Sequence, residues 1–259
     1  MFEKRYYYLL KIQYLGFRYH GWQKQPDVNT VERMMERTFS YILGRKNFKF
    51  LASGRTDAKV SANALYVELF LKDEPLPEDG FLELLNKNLP QDIRCLTIEK
   101  VTKTFNVMDA PQQKEYLYLF SQGEKNHPFA APYMVNYSEP LDIGIMQEAA
   151  QLFKGTHDFR TYTYKPKPTT QTIGTVTTSE IVVNELYTAN FFPETSYMFR
   201  VKGKGFKRHQ IRLMMGILFH IGTGKVDLDF IKKTLEPNNS LKLEHIAQAS
   251  GLILHDIEL

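Results

Sequence analysis

Apolar and polar residues alternate near the start of the chain, which is the pattern of a strand with one buried face. Residues 6–14 place Tyr8, Leu10, Ile12 and Tyr14 on one side and mostly polar side chains on the other. We therefore predict that the chain opens with a strand. Further strands are predicted by their apolar residues and flanking turns, at residues 65–71, 93–100, 115–121, 176–184 and 196–202.

Apolar residues at helical spacing lie between these strands. The segment from Asn29 to Glu32 has the form of a capping box, and apolar residues then recur at helical spacing until Gly44. Further helices are predicted at residues 79–87, 142–153 and 206–221. Strands and helices interleave without a strict run of buried parallel strands, which favours an α+β fold with mainly antiparallel sheets flanked by helices over a doubly wound parallel sheet.

The chain length bears on the domain organisation. With 259 residues the protein can bury a sizeable core, as one compact unit with two lobes. The two halves contain similar elements, so we expect an N-terminal lobe over residues 1–104 and a C-terminal lobe over residues 105–259.

Charge and cysteine content restrict the function classes only loosely. A formal net charge of +4 permits a polyanionic partner without demanding one. Cys95 is the only cysteine, which excludes an intramolecular disulfide and a thiolate metal cluster and agrees with a reducing cytoplasm. No signal-peptide pattern or long apolar run is present, so we expect a soluble cytoplasmic protein without membrane association.

One predicted loop contains a candidate reactive group. Residues 51–64 are expected to be largely loop, and within them Gly54 to Ala58 combines a flexible glycine, the cation Arg55 and the carboxylate of Asp57. Loops held on a rigid scaffold are common positions for catalytic groups. The alternative is a structural turn in which Asp57 accepts hydrogen bonds from nearby backbone N–H groups.

Two further clusters have both a functional and a structural interpretation. Tyr116 and Tyr118 share one face of a predicted strand, where cross-strand packing is the alternative to a site. A basic, glycine-punctuated run from Lys202 to Arg212 leads into a predicted helix. Arg212 lies at the edge of the buried stripe of that helix, so its guanidinium could point inward towards a carboxylate. A solvated basic face is the alternative, and we expect it for Lys202 and Lys204.

Taken together, these clusters resemble the TruA family of tRNA pseudouridine synthases, and the resemblance spans nearly the whole chain. The matching residues follow the order of the family: Tyr14, Gly16, Tyr19, Gly21 to Gln23 and Gln25; Gly54 to Ala58; Asn88 to Ile93; Tyr116 to Tyr118; Phe153 to Phe159; Phe206, His209, Ile211, Arg212, Met215 and Gly216; and Ala249 with Gly251 to Leu254.

The resemblance implies a fold, a reaction and a set of site residues. It implies two RRM-like lobes around a central basic cleft, and isomerisation of uridine to pseudouridine in the anticodon stem-loop of tRNA or in another structured RNA. Asp57 would begin the reaction, Tyr116 would pack against the flipped uracil and Arg212 would pair with the Asp57 carboxylate. It also implies a homodimer that needs no metal or cofactor. The residues expected to contact RNA are Arg55, Lys59, Lys165, Lys167, Lys207, Arg208 and His209.

The chain departs from the family pattern at four positions. Lys59 replaces a glycine, Ser61 a frequent histidine, Leu15 an aspartate and Leu65 a glutamine. We expect Lys59 and Ser61 to affect which RNA is accepted, unless both lie on the outer side of the loop.

Two competing functions remain open at this stage. The first is a catalytically inactive RNA-binding or chaperone protein that has kept the fold. The second is an RNA hydrolase that uses Asp57 with His209.

Overall fold

The computed structural model describes residues 4–77, 79–237, 239 and 241–259 and shows an α+β protein. Its strands are β1 (Arg5–Tyr14), β2 (Phe48–Ala52), β3 (Ser61–Lys72), β4 (Ile93–Lys100), β5 (Gln113–Gln122), β6 (Val135–Tyr137), β7 (Gly155–Asp158), β8 (Ile173–Val183), β9 (Tyr197–Gly203) and β10 (Leu252–Glu258). Its α-helices are α1 (Val31–Leu43), α2 (Phe81–Asn88), α3 (Ile143–Gln151), α4 (Gln210–Gly222) and α5 (Leu228–Leu235). The chain divides into two compact units, residues 1–112 with 254–259 and residues 113–253.

The first unit is built on antiparallel strands. Strand β1 pairs with β3 on one side and β4 on the other, with Leu10 opposite Val67 and Ile98, and β2 pairs with β3. Leu10 and Val67 are completely buried, as the alternation predicts. The ring of Phe39 on α1 packs against Phe50 at 5.1 Å between centroids, so the helix covers this sheet with aromatic contacts.

Helix α1 begins one residue later than the capping-box pattern suggests. Thr30 is the N-cap, and its side chain accepts a hydrogen bond from the backbone N–H of Arg33. Glu32 instead accepts from the backbone N–H of Lys24 at 2.7 Å. The helix ends where Gly44 adopts a left-handed conformation with φ of 65°, as glycines at helix ends commonly do.

The second unit also has mostly antiparallel strands. Strand β9 pairs antiparallel with β5 and β8, β7 pairs antiparallel with β8, and only the short β6 runs parallel to its partner β5 among the described pairings. Helix α4 is buried on nearly every side rather than along one stripe, as expected for a helix at the centre of a core. The predicted α+β class with mainly antiparallel strands is thus confirmed.

The structure differs from the sequence-based expectation mainly in the extent of one loop, the start of one helix and five elements that were not predicted. The loop predicted over 51–64 is only 53–60, because β2 precedes it and β3 already begins at Ser61. Helix α4 begins at Gln210 instead of residue 206, because His209 has a φ of 58° and cannot belong to a right-handed helix. Helix α5 and strands β2, β6, β7 and β10 were not predicted.

The single cysteine of the sequence is buried. Cys95 lies in β4, where burial raises its thiol pKa to about 12 and keeps it protonated.

Among the described residues, no helix combines the length and the apolar character that crossing a bilayer would require.

The N-cap of α1 should contribute measurably to stability. Replacing Thr30→Ala removes the acceptor for the Arg33 N–H, and we expect a loss of about 1 kcal/mol in the free energy of unfolding. Urea denaturation measures this loss. Thr30→Ser, which keeps the hydroxyl, should recover most of it, whereas Thr169→Ala, at an exposed loop position, should change nothing. Equal midpoints for all three variants would contradict the assignment.

Candidate active site and RNA-binding residues

Asp57 lies in a short loop of the first unit, residues 53–60, here called the Asp57 loop. The loop joins β2 to β3, and the backbone N–H of Val60 donates to the Asp57 carbonyl at 3.2 Å, which closes a turn around the carboxylate. Asp57 itself is half-buried, whereas Arg55 and Lys59 are exposed on either side of it. The backbone of Asp57 is thus held in a turn, with exposed cations two residues before and two residues after it.

A second segment of the same unit, residues 14–22, is hydrogen-bonded to this loop and is called the bracing segment here. The N–H of Trp22 donates to the Thr56 carbonyl at 3.3 Å, and the N–H of Lys59 donates to the Tyr19 carbonyl at 2.9 Å. The Tyr14 hydroxyl and the Thr56 Oγ1 are 2.8 Å apart. Because the bonds lie on both sides of Asp57, they fix the backbone that carries the carboxylate.

Two glycines allow the bracing segment to approach this closely. A Cβ atom on Gly16 would lie 2.0 Å from the Val60 carbonyl oxygen, and one on Gly21 would lie 2.5 Å from the Thr56 carbonyl oxygen. Gly21 also has a φ of 87°, a conformation that other residues rarely adopt. The glycines of the sequence motif are therefore explained by backbone contact with the Asp57 loop.

Asp92 anchors the bracing segment, a role that the sequence did not reveal. The Tyr19 hydroxyl donates to its Oδ1 at 2.6 Å, and an Arg18 guanidinium nitrogen donates to the same oxygen at 2.8 Å. Burial disfavours the carboxylate, but these hydrogen bonds outweigh it and lower the pKa of Asp92. The pKa of Tyr19 is raised by its own burial and by the neighbouring Asp92 carboxylate.

The departures from the family pattern have different structural settings. Lys59 is exposed, with a φ of 67°, and its Nζ lies 5.7 Å from the centre of the Phe17 ring. Ser61 is buried, and its Oγ accepts a hydrogen bond from the Gly16 N–H at 2.9 Å. The Ser61 side chain therefore supports the bracing segment and does not face solvent. Leu65 is a fully buried core residue.

In the second unit the two tyrosines of β5 have separate environments. Tyr118 is completely buried, and its hydroxyl donates to the Gln248 carbonyl at 2.9 Å. Burial raises its pKa, and the nearby charge of Arg212 opposes the increase. Tyr116 is only half-buried, with its ring edge-to-face against Phe206 at 5.4 Å. Tyr118 is thus a core residue, whereas Tyr116 keeps an accessible part.

Arg212 points into the protein and not into solvent. It is half-buried on α4, its Nε donates to the Ala247 carbonyl at 2.8 Å, and its own carbonyl accepts from the Ala247 N–H at 3.1 Å. Arg212 is therefore not part of a solvated basic face, which was the alternative interpretation of this basic run. That interpretation does not apply to Lys202 either, because its Nζ lies 3.2 Å from a Glu115 carboxylate oxygen.

Several predicted RNA-contacting residues come together around one ring. Tyr164 lies beside Lys165, Arg208 and His209, and its N–H donates to the Arg208 carbonyl at 3.0 Å. The basic run before α4 therefore meets the loop at 164–168, which is distant from it in sequence. Lys167 is exposed in that loop.

The beginning of α4 is held by a separate hydrogen bond. The side-chain oxygen of Gln210 accepts from the backbone N–H of Lys207 at 2.8 Å. Lys207 is therefore fixed immediately before the helix that carries Arg212.

Comparison with known proteins identifies the family. The family described as tRNA pseudouridine synthase matches residues 11–108 and 149–258, which include both the Asp57 loop and Arg212. The chain belongs to the tRNA pseudouridine synthase family. The resemblance inferred from the sequence motifs is thereby confirmed.

Its similarity extends to individual relatives over their whole length. The chain is 31% identical over 253 residues to tRNA pseudouridine synthase A 2 of Bacillus cereus, covering 97% of this chain and 98% of that relative. It is 29% identical to tRNA pseudouridine synthase A 2 of Clostridium perfringens, over 96% of this chain and 97% of the relative. It is also 29% identical to tRNA pseudouridine synthase A of Streptococcus thermophilus, over 96% and 98%.

The close approach at Gly21 should matter for activity as well as stability. Gly21→Ala forces a left-handed alanine against the Thr56 carbonyl, and displacement of the Asp57 loop should lower the rate of pseudouridine formation by about a hundredfold. A tritium-release or primer-extension assay on tRNA measures this rate.

Gly44→Ala is the matched control for Gly21→Ala. Gly44 also has a left-handed backbone, with a φ of 65°, but nothing lies within 4 Å of the added Cβ. Gly44→Ala should lose about 1–2 kcal/mol of stability and Gly21→Ala at least as much, because its Cβ also meets the Thr56 carbonyl. Only Gly21→Ala should lose activity. Comparable rates in the two variants would show that the contact does not position the loop.

Proposed function

We propose that the protein isomerises uridine to pseudouridine in tRNA, most directly in the anticodon stem-loop, with the Asp57 carboxylate initiating the reaction. The family match over both units supports the reaction class. The observation that carries the role of Asp57 is its half-buried position on a turn that is hydrogen-bonded on both sides to the bracing segment. Precise positioning of one carboxylate is what this chemistry requires.

The reaction needs a carboxylate but no change of oxidation state. The bond between ribose C1′ and N1 of uracil breaks, C1′ then bonds to C5, and the C5 proton is lost while N1 gains one. Asp57 serves as the nucleophile or as a base at the sugar. Product and substrate have the same composition, so no co-reactant is consumed.

Two residues of the second unit complete the proposed catalytic set. Tyr116 packs against the uracil after the nucleotide has left its stack, a role that suits a half-buried ring supported by Phe206. Arg212 pairs with the Asp57 carboxylate and keeps it ionised, as the family resemblance implies. Its anchoring by Ala247 suits a fixed guanidinium. Arg55 takes the place vacated by the flipped base.

RNA binding is assigned to cations on exposed loops. Arg55, Lys59, Lys165 and Lys167 are exposed, which suits contacts with phosphates. The remaining proposed RNA contacts are Lys207, Arg208 and His209, which directly precede α4. We infer that the lobes over 1–104 and 105–259 are RRM-like and form a basic RNA-binding cleft, and that the protein acts as a cytoplasmic homodimer without a cofactor.

A catalytically inactive RNA-binding protein and an RNA hydrolase are less favoured. The full-length match to relatives named as tRNA pseudouridine synthases favours the isomerase over both. A hydrolase would release a free base or a cleaved strand, whereas the isomerase leaves the mass of the RNA unchanged.

Removal of the Asp57 carboxylate should separate chemistry from binding. Asp57→Ala should abolish pseudouridine formation and leave tRNA affinity within about threefold of the parent, because affinity comes from many phosphate contacts. Mass spectrometry of cyanoethylated RNA measures product, and filter binding measures affinity.

Asp229→Ala provides the control for the Asp57 variant. Asp229 is an exposed carboxylate on α5, paired with Lys232, and its loss should leave both measurements unchanged. Product formation by Asp57→Ala at more than a trace of the parent rate would exclude the assignment.

Affinity should depend on salt through the proposed cations. Each phosphate contact contributes about 0.7–0.9 to the slope of log affinity against log salt. Lys207→Ala should lower this slope by about one contact, whereas Lys233→Ala, on the exposed side of α5, should not alter it. A slope that is flat for the parent would mean that the basic run is only a solvated surface.

A further inference from the structure

One tyrosine ring outside the proposed catalytic set gathers several cationic groups. The Nζ of Lys165 lies 5.2 Å from the centre of the Tyr164 ring, and the guanidinium carbon of Arg208 lies 4.9 Å from it. The ring of His209 is 4.6 Å away, tilted by 35°. A cation within about 6 Å of a ring face is attracted by its quadrupole, so Tyr164 offsets part of the repulsion between Lys165 and Arg208.

The backbone around the ring is held in an uncommon conformation on both sides. Lys165 has a φ of 46° and His209 a φ of 58°, and both are among the few non-glycine residues of the described chain with positive φ. Such residues persist where surrounding contacts hold them, and they cluster at functional sites. The bond from the Tyr164 N–H to the Arg208 carbonyl links the two loops at this point.

Neither cation has an acidic partner among the residues that the structure describes. No ion pair joins Lys165 or Arg208 to any carboxylate of the described chain, whereas Arg200 and Lys202 on neighbouring β9 are both paired with Glu115. Two cations that lie 5.2 and 4.9 Å from the centre of one ring, without a neutralising carboxylate in the described chain, favour a shared anion. With three groups already around it, the ring itself is poorly suited to stack on a base.

We propose that Tyr164 is a positioning residue that holds Lys165 and Arg208 together as a two-cation clamp for a phosphate of the RNA backbone. The inference rests on the proposed function for the identity of the RNA. It adds that the two loops bind one phosphate jointly, so that the ring contributes to affinity and not to the chemical step.

The experiment compares two substitutions at the same position. Tyr164→Phe keeps the ring and should behave as the parent, because the cations contact the ring face. Tyr164→Leu removes the ring and should raise KM for tRNA about five- to thirtyfold, with kcat at saturating tRNA unchanged. The salt slope of tRNA binding should fall by about one contact in Tyr164→Leu only.

Coupling to the cation supplies a second measurement. Once Tyr164 is leucine, a further Arg208→Gln change should add little to the loss of affinity, whereas in the parent it should cost as much as Tyr164→Leu. Tyr41→Leu, at a tyrosine that is 78% exposed on α1, controls for the general effect of losing a tyrosine. Thermal unfolding identifies any variant that is simply less folded.

The outcomes separate the clamp from the proposed reaction. The clamp is excluded if Tyr164→Leu binds as the parent does, if it lowers kcat without affecting KM, or if Tyr164→Phe is equally impaired. If the parent forms no pseudouridine but the binding differences appear, the proposed function fails and the clamp stands. If the parent is active and the binding differences are absent, only the clamp fails.

Discussion

The proposed active site depends on close backbone contact between the bracing segment and the Asp57 loop. Two backbone hydrogen bonds join the segments, from the Trp22 N–H to the Thr56 carbonyl and from the Lys59 N–H to the Tyr19 carbonyl, so the loop is held on both sides of Asp57. The contact is possible only because residues 16 and 21 have no Cβ atoms. The loop that carries the proposed catalytic carboxylate thus owes its position to two residues that have no side chain.

The cations of the second unit fall into two groups with different electrostatic settings. Arg200 and Lys202 are both paired with Glu115, and Arg200 is also paired with Glu180. Burial raises the pKa of Glu115, but the hydrogen bonds from the two cations outweigh it and lower the pKa. The charges on Lys165 and Arg208 are not balanced by carboxylates within the described chain. Because an RNA phosphate competes only for charge that is not already paired, the second group is the better candidate for binding. Net charge alone does not distinguish the two groups.

The sequence predicted the parts of the fold that follow from local patterns. Alternation located β1 and the body of β3, and spacing with a cap located α1. The predicted Asp57 loop was too long, because it included the first residues of β3. Ser61 to Ala64 are small or polar and do not show the alternation of the rest of β3, although most of them are buried. The predicted start of α4 was too early, because no local sequence pattern indicates the left-handed conformation of His209.

The candidate site was only partly visible for a similar reason. Asp57, Tyr116 and Arg212 could be selected from motifs, and their catalytic roles stay predictions. Tyr164 and Asp92 could not be selected, because each acts through contacts with residues distant in sequence. Tyr164 meets Arg208 across 44 positions of the chain, and Asp92 meets Arg18 across 74 positions. Contacts of this kind are made by the tertiary fold and leave no periodic signal.

Lys59 stands where the family pattern has a glycine, and its backbone conformation is one that suits a glycine. Its φ of 67° costs a lysine about 1–2 kcal/mol. The Phe17 ring, 5.7 Å from the ammonium group, and the bond to the Tyr19 carbonyl offset part of that cost. Where the family pattern has a flexible glycine, this chain has a cation two positions from Asp57. The lysine adds an exposed positive charge beside the carboxylate, at the position where the proposed contact of Lys59 with RNA would be made.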